Sequence, residues 1–307
     1  MKLPDLAWLK QHPKVQRMLL PVGTGLAFVL FLFLTFPYET LARRIEVEAR
    51  AAGADLVIGR LGPAGLFGLR ARDVRLKLSP APGGEAAPEL KFDRADLKPD
   101  LLPMILRRTS FGFALQGYGG KASGHAAFSD DPKLPGLKSF AIDARDLDLA
   151  TFPLRDLAGV DATGKAQLKV DLPTLQPVET AGGSVQLAID GAGINGGTAL
   201  GFPVPKSSLG RVEGNVTVDK GVARLEKVSA RGGDVEADVD GTIQLRPSLP
   251  RSVGELHVRF RPSDRWLNEN PLIKGAMGIV QNARQGDGSY VFTFTGPLLN
   301  MNQRPGR

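Results

Sequence analysis

After residue 70, apolar and polar residues alternate in short runs separated by glycine, proline and asparagine. Val74, Leu76 and Leu78 alternate with Asp73, Arg75 and Lys77, the period of a strand buried on one side only. The pattern returns in residues 91–97, in Phe111, Phe113 and Leu115, in residues 122–128, and in Phe140, Ile142 and Ala144. It continues through Ala166, Leu168 and Val170, then Val185, Leu187 and Ile189, then Val212, Val216 and Val218. Val222, Leu225 and Val228 precede Val235, Ala237 and Val239; Leu256, Val258 and Phe260 precede Tyr290, Phe292 and Phe294. Such a series predicts a mainly β fold: a curved antiparallel sheet, sandwich or open barrel with few short helices. Parallel strands flanked by helices would be apolar throughout, so the alternation excludes βαβ units.

Three stretches break the period. Residues 18–36, MLLPVGTGLAFVLFLFLTF, carry no charge and predict one transmembrane helix, for which roughly 20 apolar residues are needed. Its anchoring side chains are Leu19, Leu20, Leu26, Phe28, Val29, Leu30, Phe31, Leu32, Phe33, Leu34 and Phe36. Pro21 falls in the first turn, where a missing N–H costs little. In residues 37–52, Leu41, Ile45, Ala49 and Ala52 recur at near-helical spacing before Gly53, which predicts a short helix leaving the membrane. Residues 262–279 lose the alternation and take a helical look around Trp266 and Leu267.

Lys2, Lys10, Lys14 and Arg17 precede the span and Arg43, Arg44 and Arg50 follow it, 4 against 3. The positive-inside rule therefore expects the N-terminus in the cytoplasm. A cleaved signal peptide is the competing reading, but the apolar run exceeds the usual h-region and Phe36-Pro37-Tyr38-Glu39 offers no small-x-small site. The expected division is a cytoplasmic tail (1–17), an anchor (18–36) and an exported β-rich domain (37–307). The proline-bearing stretch 172–180 is the best internal boundary. Residues 113–128 and 229–245 share the order strand, Gly-Gly turn, strand, a weak internal echo.

Composition adds little to this picture. The 37 Gly and 23 Pro in a chain that is 42% hydrophobic signal many turns rather than disorder. With no Cys, disulfides, thiolate catalysis and Cys-based zinc sites are excluded. A net charge of +7 raises nucleic acid as a partner. Yet the basic residues alternate with acids and aromatics make up only 7%, so clustered cations with stacking platforms are missing and no nucleic acid is expected.

Candidate chemistry fails at each position. Gly191-Ala192-Gly193-Ile194-Asn195-Gly196 spells G-x-G-x-x-G, but the following Gly197-Thr198-Ala199-Leu200-Gly201-Phe202-Pro203 cannot open the required helix. A turn is expected there. Glu236, Asp238, Asp240 and Gly241 imitate a calcium loop whose twelfth position, Pro247, supplies no ligand. His12, His125 and His257 are far apart, and His257 shares its strand face with Glu255 and Arg259. No catalytic, metal or cofactor residues are expected, and no enzyme.

The chain resembles the type II secretion system protein N (GspN) family in its single-anchor form. The likeness rests on Phe36-Pro37-Tyr38-Glu39-Thr40-Leu41, Leu56-Val57-Ile58-Gly59, and Gly68-Leu69-Arg70-Ala71-Arg72-Asp73-Val74. It continues in Phe202-Pro203-Val204-Pro205 and Asp219-Lys220-Gly221-Val222. It is strongest at Arg231-Gly232-Gly233-Asp234-Val235-Glu236 with Asp240-Gly241-Thr242-Ile243-Gln244-Leu245, and reaches Phe260-Arg261-Pro262-Ser263. The ending departs from the family pattern, with Met301 where a proline belongs. The resemblance implies a bacterial inner-membrane protein with a periplasmic body that contacts other secretion-system components. More distantly the outline is similar to AsmA-like envelope proteins, which implies the alternative of lipid held in a β groove.

Overall fold

The computed structural model describes residues 24, 28, 31, 35–51, 54–65, 67–77, 88–100, 109–131, 136–199, 202–248, 251–298 and 300–306. Its alternating runs become antiparallel strands of one sheet. The first eight are β1 (Asp55–Ala64), β2 (Gly68–Lys77), β3 (Glu89–Pro99), β4 (Ser110–Gly117), β5 (Gly120–Phe128), β6 (Leu137–Asp148), β7 (Val160–Thr174) and β8 (Gly182–Ala199). Then follow β9 (Phe202–Pro203), β10 (Ser207–Asp219), β11 (Val222–Arg231), β12 (Val235–Gln244), β13 (Val253–Pro262), β14 (Tyr290–Pro297) and β15 (Asn302–Pro305). Spatial order follows chain order from β1 to β15, except that the two-residue β9 pairs only with β8.

Turn chemistry explains this meander. Gly117 pairs with Gly120 across Tyr118 (φ 55°) and Gly119 (φ 71°). Asp219 pairs with Val222 across Lys220 (φ 48°) and Gly221 (φ 73°). Both are two-residue turns with positive φ at each central position, the twist that joins adjacent antiparallel strands. Of the echoed segments, 113–128 is the hairpin β4–β5, whereas 229–245 takes in only the end of β11, a longer turn with Gly232 at φ 78°, and β12.

The sheet is open. Its terminal strands β1 and β15 do not pair with each other, so it is not a barrel. Nor is it a sandwich: among the described residues the substantial strand packing is between sheet neighbours. The buried positions tell the same story, because most are alanines and the largest fully buried side chain is Ser252. A second layer would bury the large aliphatics of the central strands. Residues 172–180 cover the end of β7 and most of its link to β8, and the two strands pair with each other. The G-x-G-x-x-G stretch lies inside β8 rather than in a turn, and Gly191 and Gly196 take positive φ there.

The predicted membrane span lies mostly outside the described residues; Thr24, Phe28, Phe31 and Thr35 within it are helical. Among the described residues no helix is long and apolar enough to cross a membrane. The short helix predicted after the span is α1 (Tyr38–Ala51), which packs along β1. Glu46 Oε1 accepts the backbone N–H of Ile58 at 2.8 Å, and Arg50 pairs with Asp55 at 3.1 Å. An edge strand carries unpaired N–H groups that invite other chains, and here a carboxylate occupies one. Glu46→Ala is expected to lower stability by about 1 kcal/mol, the worth of one charge-assisted hydrogen bond at a half-exposed position. Urea unfolding of the full chain checks it.

At the other end, α3 (Asp264–Glu269) and α4 (Pro271–Ile279) replace the single short helix expected there. A five-residue helix, α2 (Leu154–Ala158), joins β6 to β7. Ser263 caps α3 by accepting the Trp266 N–H, and the Trp266 indole N–H donates to Lys206 O at 3.0 Å. The following turn brings Ala283 onto Tyr290 and Phe292, with Phe260, Met277, Val280 and Phe294 packed around them.

Candidate functional surface

Because side chains on a strand point alternately up and down, register decides which residues share a face. Tracing the paired residues gives unbroken apolar rows. From β4 to β8 one row reads Leu115, Ala122, Ala144, Leu168 and Leu187. It continues from β10 to β14 as Gly214, Val228, Val239, Val258 and Phe292. The adjacent row reads Phe113, Gly124, Ile142, Val170 and Val185. It extends through Val216, Leu225, Gly241, Leu256 and Phe294.

Two bulges keep the rows in phase. Ala144 and Leu147 are three residues apart and would face opposite ways, but β6 shifts register between them, with Asp146 at φ 58°. Leu225 and Val228 are likewise separated by a shift against both β10 and β12. Each bulge absorbs one extra residue and holds charged side chains, Arg145 with Asp146 and Glu226 with Lys227. Glu226 accepts from Asn215 Nδ2 at 2.9 Å and Thr217 Oγ1 at 2.8 Å, on the opposite, polar face. The large aliphatics Ile142, Val170, Val185, Leu187 and Val216 are only half-buried.

The polar face carries Asp96, Ser123, Asp143, Lys169, Gln186 and Asn215 in one row. Ion pairs across and along the strands stripe it. Arg70 donates to Asp96 at 2.8 and 3.1 Å, and Arg94 approaches the same carboxylate at 2.5 to 3.1 Å. Hydrogen bonds from Arg94 first, then Arg70, hold the Asp96 carboxyl well below the usual carboxylate range. Arg145 does the same, more weakly, for Asp143. Two open clefts lie here. One of about 460 Å³ has a floor of Gly112, Ala114, Ser123 and Ala141; the other, about 640 Å³, runs past Arg145, Gln186 and Asn215.

The residues singled out in the sequence are dispersed. Phe28, Phe31 and Phe36 of the expected anchor are exposed at 60%, 61% and 45%. Leu19, Leu20, Leu26, Val29, Leu30, Leu32, Phe33 and Leu34 lie outside the described residues. Glu236, Asp238 and Asp240 lie along β12; Glu236 pairs with Arg261 at 2.6 Å and Asp238 with Arg231. His257 Nδ1 stands 3.2 Å from Thr293 Oγ1, while His125 is exposed on β5. Among the described residues no three His, Cys, Asp or Glu side chains are grouped to hold a metal ion. What the sequence reading passed over is α4, whose Leu272 and Ile279 are 87% and 84% exposed. Their spacing of seven, on a helix with one charge, is the signal that marks them. Compared with known families, curated proteins and solved structures, the chain matches none.

Proposed function

We propose that this chain is an inner-membrane-anchored structural component of a type II protein secretion system. Its exported sheet works through contact surfaces and not through chemistry. The observation that carries the proposal is the open sheet itself, fourteen strands along its path with large half-exposed aliphatics on one face. Apolar patches of that extent mark interaction surfaces, and a sheet edge offers strand addition as a further mode. The resemblance to the GspN family supplies the kind of partner, the other components of the secretion machine. Photo-crosslinkers at Val185 on the apolar face and Gln186 on the polar face test this in intact cells. Crosslinks from Val185 to secretion components are expected; crosslinks to phospholipid alone would overturn the proposal.

The unbroken apolar rows favour a second reading, a lipid-handling envelope protein of the AsmA-like kind. A continuous strip of Leu, Val, Ile and Phe with no polar interruption suits an acyl chain as well as a protein surface. Solvent extraction of the purified full chain separates the two. Under this reading phospholipid is recovered in proportion to protein, and Leu187→Glu with Val216→Glu sharply lowers the yield, because a charge then sits where the chain would lie.

A further inference from the structure

We infer that α4 touches a phospholipid bilayer surface through Leu272 and Ile279, as a second membrane contact distant from the anchor. This rests on the anchor reading proposed above. Ile273, Met277 and Val280 occupy one side of the helix, and Met277 and Val280 pack on the aromatic cluster of β13 and β14. At 100° per residue Leu272, Gly275 and Ile279 share a face turned away from that packing, flanked by Ala276 and Gly278, and all five are exposed. The helix is therefore apolar on both sides. Only Lys274 carries charge between Asn270 and Ala283, and its ammonium donates to Asn268 Oδ1 at 2.8 Å. A helix apolar all round belongs in a core or in lipid, and this one has a core on one side only.

Area decides between a bilayer and a protein as the occupant of the other side. Nine residues at 1.5 Å each give a strip about 13 Å long and about 10 Å wide. That is on the order of 130 Å², far below the roughly 800 Å² per partner of a stable protein interface. Insertion into the headgroup boundary has no such threshold, since its strength simply scales with the apolar area buried. A tether raises the effective concentration, so a contact too weak to act alone still forms. The anchor precedes α1 at the β1 end, whereas α4 sits at the β13–β14 end. The intervening strands, at about 4.8 Å each, put roughly 55 Å between them.

The absence of cysteine makes the test direct. The full chain carries Ile279→Cys labelled with an environment-sensitive fluorophore and is reconstituted into phosphatidylethanolamine–phosphatidylglycerol nanodiscs. Nitroxide lipids are placed in the disc in one arm and in added vesicles in the other. We expect a blue-shifted emission quenched in at least one arm, and a label at Lys227→Cys on the polar face that neither shifts nor quenches. Adding Leu272→Asp should abolish the quenching; at 87% exposure this change does not disturb packing. A label that stays solvent-like in both arms, or is shielded only when soluble protein partners are added, overturns the inference. Alkaline extraction of the unmodified chain reconstituted into proteoliposomes of the same lipids reports the anchor separately: its release refutes the anchor and leaves the vesicle arm to decide α4.

Discussion

Gly241→Ala is expected to destabilise the chain by about 3 kcal/mol, the combined cost of a left-handed backbone and a clash with a neighbouring strand. Gly241 has φ +144° in the middle of β12, between Leu225 and Leu256 in the apolar row. A Cβ there would strike Glu255 O and come within 2.8 Å of Leu256 Cα. Both obstacles are backbone, so relief requires parting β12 from β13. Gly232→Ala is the control: its φ of +78° carries a similar conformational penalty, but nothing lies within 4 Å of the added carbon. That change should cost about 1 kcal/mol. Thermal unfolding of both variants in nanodiscs separates the effects, at roughly 2–4 °C per kcal/mol for a domain of this size. Equal shifts would mean that strand pairing at Gly241 is looser than described.

Asp96→Ala should cost about 2–3 kcal/mol, less than the 3–5 typical of a fully buried broken pair because both arginines are about one-third exposed. Asp96 is 8% exposed and is the shared acceptor for Arg70 and Arg94. Its loss leaves two guanidinium groups facing each other without a counter-charge. Asp96→Asn keeps the shape, removes the charge, and should recover part of the loss. The same carboxylate predicts an acid limb. Its folded pKa lies below the unfolded value near 3.9. Its contribution is thus whole above about pH 4 and fades as pH falls further towards the folded pKa. Stability measured from pH 6 down to pH 2 should decline faster for the native chain than for Asp96→Ala. Parallel curves would show that the pair contributes nothing.

Much of the fold could be read from period alone. Strands such as β13, and β5 as far as Ala127, alternate without interruption and one face follows from the sequence. Where charged pairs interrupt the alternation, as at Arg145-Asp146 and Glu226-Lys227, the residues look like strand ends. The structure nevertheless carries Leu147 within β6, beyond the bulge. The Gly191-to-Gly197 run looked like a turn because glycine is the usual turn residue. Within an 18-residue strand Gly197 permits close approach, since a Cβ there would hit Gly159 O, whereas Gly191 and Gly196 face open space and serve through their positive φ. Sandwich, barrel and open sheet share one local pattern; only the lack of β1–β15 pairing and of a second packed layer among the described residues separates them. Exposure on α4 was equally hidden, since apolar residues at helical spacing usually mean a core.

A meander in which every strand leans only on the two beside it has a modular length. Inserting one hairpin would add about 10 Å of reach at 4.8 Å per strand and leave every other register untouched. The span between α1 and the far helical cap can thus be tuned in steps, as a ruler is lengthened by whole divisions.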